Sequence, residues 1–219
     1  MEKFLPILRK CPLFAKVDDG DIPGMLGCLT AVIKEVKKNQ FIFSEGEPAV
    51  YVGILLDGSA HVEKQDFYGN RSIVSSVAPG DLFAESFACA GVTEMPVSVV
   101  AVEDSKVMLI PCQRITVGCA NACAHHSQMI YNLLQIVAVK NLEFHRKLEI
   151  TANRTTREKL LAYLQLQAKE KGSSTFSIPY DRQGLADYLG VERSAMSAEL
   201  GKLRRDGVID FSRSKFTLL

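Results

Sequence analysis

The stretch from Pro179 to Leu200 constrains this chain more than any other, because its spacing fits two short helices joined by one tight turn. Gly190 supplies the backbone freedom of the turn, and Ala186 is small enough for the second helix to cross the first closely. Leu185, Leu189, Val191 and Met196 fall where the two helices would bury side chains against each other. This is what a helix-turn-helix requires; an ordinary helical hairpin is the competing reading. The second helix is expected from about Arg193 to Arg205. Phe176 to Pro179 reads as a short strand and Val208 to Leu219 as a hairpin, so the whole unit is expected to be a winged helix-turn-helix.

The rest of the chain changes period twice. Residues 1–30 read as short helical pieces interrupted by Pro6, Pro12 and Pro23. From Ala31 to about Ile110, short apolar runs such as Tyr51 to Leu56, Val97 to Ala101 and Val107 to Ile110 alternate with turn signals at Asp57-Gly58, Gly69-Asn70 and Pro79-Gly80-Asp81. Many short strands with regular turns predict a barrel or jelly roll. From about Gln113 the pattern is helical, and Ile130, Leu134, Val137, Asn141, Phe144 and Leu148 alternate four- and three-residue steps. That is a coiled-coil seam, in which a single Asn fixes register and favours two strands, so a parallel homodimer is expected about this helix. A second stripe, Met129, Leu133 and Ile136, is placed to pack on the chain's own β domain. The fold class is therefore α+β: a β jelly roll with N-terminal helices over residues 1–112, a long dimerisation helix over 113–150 and the winged helix over 151–219.

Charge follows the same division. Residues 151–219 carry 12 Lys and Arg against 8 Asp and Glu, a balance of +4, while residues 1–150 carry 14 against 17, or −3. A basic C-terminal part beside an acidic remainder is what results when only one domain meets phosphate. No apolar run has the length of a membrane span, and the N-terminus lacks signal-peptide regions, so a cytoplasmic location is expected. Six cysteines without a regular framework fit reduced thiols better than a disulfide scaffold.

A β roll, a long helix and a winged helix in that order resemble the Crp/Fnr family of bacterial transcription regulators, over nearly the whole chain. The resemblance is carried by Glu45-Gly46-Glu47 and Gly58, by Pro79-Gly-Asp-Leu-Phe-Ala-Glu85, and by the helix-turn-helix. It implies a roll that senses a small-molecule signal, a homodimer, and binding of double-stranded DNA at a palindromic operator, with RNA polymerase as partner if the output is activation. Members that bind cyclic AMP use a glutamate for the ribose and an Arg-Ser pair for the phosphate. Glu85 stands where that glutamate would be, but Met95 and Pro96 stand about where the pair belongs. Without a guanidinium a partly buried phosphate lacks its bidentate partner, so cyclic nucleotide is disfavoured. Glu85, Ser86, Met95 and Ser98 are the effector-pocket candidates; Glu85 is expected either to hold another ligand or to satisfy backbone donors at a turn. Cys11 and Cys28 are too few for the N-terminal cysteine set of the iron–sulfur branch, and His61 alone is a poor haem ligand. No cofactor is therefore assigned. Cys119, Cys123 and His126 recur at helical spacing as soft-metal or redox candidates, with plain packing as the alternative.

At the DNA end, the resemblance places Arg182 and Gln183 like family residues that touch the sugar–phosphate backbone, and Arg213 and Lys215 on the expected wing are candidates for the same role. Arg193, Ser194 and Ser197 fall where side chains reach base edges, and Lys202 lies further along the same helix. Ala198 stands where the best-known members carry a guanine-reading Arg, so a different operator is expected. The sequence leaves two further readings. One is a constitutive DNA binder whose roll has lost its ligand. The other is a small jelly-roll enzyme, which the absence of a His and carboxylate cluster, nucleophile triad or phosphate loop argues against.

Overall fold

The computed structural model describes residues 2–69, 71–117 and 124–219. It forms two compact units: the chain through Gln65 together with Val74–Asn141, and Asp66–Ile73 together with Leu142–Leu219.

The first unit is built on the strands β1 (Val32–Val36), β2 (Phe41–Phe43), β3 (Tyr51–Asp57), β4 (Ala60–Gln65), β5 (Arg71–Val77, of which this unit holds the part from Val74), β6 (Leu82–Phe83), β7 (Ser98–Ala101) and β8 (Ser105–Pro111). They make two four-stranded sheets, ordered β1-β8-β3-β6 and β2-β7-β4-β5. The continuous apolar runs of β3 and β8 have a simple cause. Successive side chains of a strand point to opposite faces, and both faces of these strands are covered. Leu55, Val107 and Leu109 face the core between the sheets with Phe43, Phe83 and Val99. Val52, Ile54, Met108 and Ile110 face a second core beneath the N-terminal helices. β6 is too short to announce itself by alternation; it is held by pairing Gly53 with Phe83 and Ile54 with Leu82.

The second core is closed by α1 (Leu5–Leu8), a 3-10 turn at Pro12–Phe14 and α2 (Ile22–Cys28). The prolines expected to interrupt these helices instead open them, since each lies in a first turn, where a missing N–H costs nothing. The continuous helix expected from Gln113 is not observed. α4 (Cys112–Thr116) ends where Val117 turns extended, and α5 runs Ala124–Thr151. Met129, Leu133 and Ile136 of α5 are buried in the second core. Between them, the buried Asn132 amide donates to the carbonyls of Leu13 and Ala15 at 2.9 and 2.8 Å, fixing the helix to the N-terminal segment.

The second unit contains α6 (Thr156–Lys171), β9 (Thr175–Ser177), α7 (Arg182–Leu189), α8 (Arg193–Arg205), β10 (Ile209–Ser212) and β11 (Lys215–Leu218), with an antiparallel sheet ordered β10-β11-β9. α6 starts at a reciprocal cap between Thr155 and Glu158. Gly190, at φ +61°, ends α7 in the left-handed region, and Leu185, Leu189, Met196, Leu200 and Leu203 share one core with Leu160, Leu164 and Phe216.

Gly53 has no room for a side chain: a Cβ there would lie 2.1 Å from the Phe83 ring, itself buried against Phe43. Gly53→Ala is expected to cost about 1–3 kcal/mol by overpacking, read as a lowered urea midpoint with unchanged slope.

Candidate nucleic-acid interface and sensor site

α8 buries Met196, Leu200 and Leu203 and leaves Arg193, Ser194, Ser197, Ala198 and Lys202 exposed. One helical face is thus free while the other anchors the helix, as the 3.6-residue period dictates. Among the described residues Arg193, Arg205, Arg213 and Lys215 make no ion pair. The other cations of this surface are engaged: Lys202 pairs with Glu199 at 2.6 Å, Arg204 with Asp210 at 2.9 Å and Arg157 with Asp206 at 2.9 Å. Arg213 sits at the wing turn with φ +51° and is exposed, as is Lys215.

Three side chains expected on DNA have work inside the unit. Arg182 is half-buried, its guanidinium 4.6 Å from the Phe211 ring centre and 5.2 Å from that of Phe216, and burial lowers its pKa. It therefore fastens α7 to the wing strands rather than standing free. Gln183 donates to Asp187 at 2.7 Å. The Ser194 hydroxyl donates to the carboxylate of Glu192, which also accepts from the Ala195 N–H at 3.0 Å. Glu192 is consequently the N-cap of α8, and these bonds, the Ser194 hydroxyl foremost, hold its carboxyl below the usual range.

Two cations that the sequence did not single out lie near α7. Arg71 donates twice to Asp187, at 3.0 and 2.8 Å. The Lys147 ammonium lies 4.3 Å from the Tyr188 ring centre and donates to the Ile73 carbonyl. Neither has a sequence signature, because both partners are far away in the chain. Burial pushes the Lys147 pKa down to about 8 from 10.5.

In the first unit Glu85, only 2% exposed, opens α3 (Glu85–Ala90) after Ala84, which sits at φ +63°. Its two carboxylate oxygens lie 3.0 and 3.1 Å from the Lys140 ammonium of α5, which also donates to the Leu82 carbonyl. The Ser86 hydroxyl donates to Glu85 at 3.2 Å. The expectation that Glu85 satisfies backbone donors at a turn is replaced by this ion pair, a partner 55 residues away that no local pattern reveals. Met95 and Ser98 serve a different local purpose. The Met95 backbone exchanges hydrogen bonds with Gly46 (2.9 Å) and Glu47 (2.7 Å), its side chain is buried in the inter-sheet core, and the Ser98 hydroxyl accepts from the Glu45 N–H at 3.0 Å. Both brace the Glu45–Glu47 turn.

Cys119 and Cys123 lie outside the described residues. The buried His126 has its ring Nε2 3.2 Å from the Arg114 carbonyl, and no group of three or more metal-ligating side chains occurs among the described residues. No described helix is long and apolar enough to cross a membrane.

A two-sheet roll with a buried glutamate at its short α3 helix, a long helix after it and a winged helix-turn-helix define a transcription regulator with a cyclic-nucleotide-binding-type domain. The family models agree: cyclic nucleotide-binding domain matches residues 33–119 and Crp-like helix-turn-helix domain matches residues 158–219. The chain belongs to the Crp/Fnr family. It is 20% identical over 198 residues to the global nitrogen regulator of Nostoc sp., covering 88% of this chain and 87% of that protein. The fold is shared with the c-di-GMP responsive global regulator CLP of Xanthomonas campestris (TM-score 0.74, 17% identity, 92% of this chain and 99% of that one). It is also shared with FixK2 of Bradyrhizobium japonicum (TM-score 0.67, 22% identity, 86% and 92%).

Replacing Arg182 by Ala should destabilise the protein by about 0.5–2 kcal/mol through the lost stack on Phe211 and Phe216. Arg182→Lys should recover only part of this, since the charge returns without the planar face; calorimetry of both variants checks it. Lys147 is less protonated in the folded than in the unfolded state between about pH 8 and 10.5. Its contribution to stability therefore rises with pH across that window, and Lys147→Met should flatten that part of a stability-against-pH profile.

Proposed function

We propose that the protein is a dimeric, sequence-specific DNA-binding transcription regulator whose affinity for its operator is controlled from the β roll. The observation that carries the reading is the free face of α8, where Arg193 is exposed without an ion-pair partner beside Ser197 and Ala198. In this reading Arg193 reads a base edge or clamps a phosphate, while Arg213 and Lys215 anchor the backbone from the wing and Gln183 from the start of α7. Ala198 offers only a methyl group, suited to thymine.

Dimerisation is supported by α5. Ile130, Leu134, Phe144 and Leu148 are 40, 66, 40 and 64% exposed, although the adjoining stripe of the same helix is buried. Val137 is half-buried and Asn141 exposed in the same row. A second copy of α5, parallel to the first, would cover this row and pair Asn141 with its mate. For the sensor, the Glu85–Lys140 pair favours a ligand other than one gripped through a cyclic phosphate, because Met95 faces the core and any group that takes Glu85 must displace an ammonium. The same pair supports a second reading, a constitutive DNA binder in which Lys140 has replaced the ligand. RNA polymerase is a partner only if the output is activation.

Selection of bound duplexes from a random library tests the first claim: a palindrome with half-sites about one helical turn apart is expected, and no enrichment would overturn it. Arg193→Ala should weaken binding to the selected site by about 1–3 kcal/mol. Leu134→Glu should convert the dimer to a monomer in sedimentation and abolish preference for the palindrome over a half-site. A thermal-shift screen separates the two sensor readings, since a ligand bound only by the folded state raises the midpoint.

A further inference from the structure

Of the cysteines described, Cys11 is sealed in the core and Cys28 stands on the surface, but Cys89 and Cys112 face each other with sulfur atoms 3.5 Å apart. They come from different elements. Cys89 lies in the last turn of α3, four residues beyond Glu85, and Cys112 opens α4 directly after β8. The Cys112 backbone is pinned by its N–H to the Val50 carbonyl at 2.9 Å, so this half of the pair is held in place. Cys89 is exposed as a residue, although its sulfur is partly covered where it meets Cys112, and Cys112 is buried, so a reagent in solution meets Cys89 first.

We propose that Cys89 and Cys112 are a reversible intramolecular dithiol–disulfide site, oxidised by exchange with a small disulfide of the glutathione type. The Cys89 thiolate attacks one sulfur of the reagent, forming a mixed disulfide and expelling one reagent thiolate. The Cys112 thiolate then attacks the Cys89 sulfur, forming the internal bond and expelling the second reagent thiolate. Two S–H bonds are lost and one S–S bond forms; two electrons and two protons pass to the reagent, which leaves as two thiols. To form the bond, the sulfurs close from 3.5 Å to about 2.05 Å. The product ties α3, whose first residue holds Lys140, to the end of β8, and encloses β7 with its Met95 turn in the loop. This chemistry is independent of the DNA-binding reading.

The surroundings set its speed. Burial, followed by the neighbouring Cys112 and the carboxylate of Glu85, pushes the Cys89 thiol up to about 12. Lys140, which pairs with the carboxylate at the start of the same helix, is engaged by Glu85. Exchange therefore starts from scarce thiolate and accelerates with pH, so the site follows a sustained thiol–disulfide balance rather than a brief pulse of oxidant.

The test uses the full chain equilibrated in buffers of reduced and oxidised glutathione, quenched by acid and alkylation, and mapped by peptide mass. A linked peptide joining Cys89 to Cys112, lighter by two hydrogens and reopened by dithiothreitol, is expected. Its rate of formation should rise about tenfold per pH unit on the alkaline side of neutrality. Cys89→Ser and Cys112→Ala should each abolish the linked peptide, and wild-type mapping keeps the test valid if either variant folds poorly. Glutathione retained on Cys89 without ring closure, a bridge mapped to any other cysteine, both thiols alkylated at every ratio, or a pH-independent rate would overturn the proposal.

Discussion

A carboxylate taken out of water needs a cation, and the way Glu85 meets Lys140 organises the first unit. The pair closes at 3.0 Å with one partner at the start of α3 and the other on α5, and the same ammonium holds the Leu82 carbonyl of β6. A buried pair of this kind gains little over well-packed apolar residues, whereas removal of one partner leaves an uncompensated charge. Its contribution is therefore geometric. It specifies which turn of α5 lies beside α3, and Asn132, two turns earlier, specifies the contact with Leu13 and Ala15. Between these two polar fixings the buried stripe of α5 needs only to be apolar.

The two cores of the first unit follow from strand periodicity. β3 and β8 are apolar at nearly every position because alternate side chains serve separate cores, one between the sheets and one beneath the helices. The close approach of Phe83 to Gly53 allows the two-residue β6 to pair with β3 although so short a strand has almost no hydrogen bonding of its own. This places Ala84 and Glu85 immediately after a fixed point, so the sharp left-handed residue before α3 aims the carboxylate inward.

Features set by local spacing were legible in the sequence; those made by distant partners were not. The strands of the roll, the turn at Gly190 and the buried faces of α7 and α8 could be read because periodicity and turn chemistry act over a few residues. The buried stripe Met129, Leu133 and Ile136 was legible for the same reason. Lys140 opposite Glu85, Arg71 on Asp187 and Lys147 over Tyr188 were invisible, since nothing near either partner marks the encounter. The roles of Arg182 and Ser194 show the limit from the other side. A position can match a family contact while its side chain is already used, by Phe211 and Phe216 in one case and by Glu192 in the other.

The cap on α8 has a consequence for how the protein would search DNA. The exposed N–H groups at the front of a helix ordinarily attract phosphate, but here Glu192 places its own anion over them. A phosphate approaching that end meets a negative charge before it meets the helix. Under the proposed function, indiscriminate adhesion to any duplex would be weakened at this end of α8, and attraction would be left to Arg193 and to the more remote wing cations. The molecule would spend less time on wrong sites, and residence would depend on contacts that only a matching sequence completes.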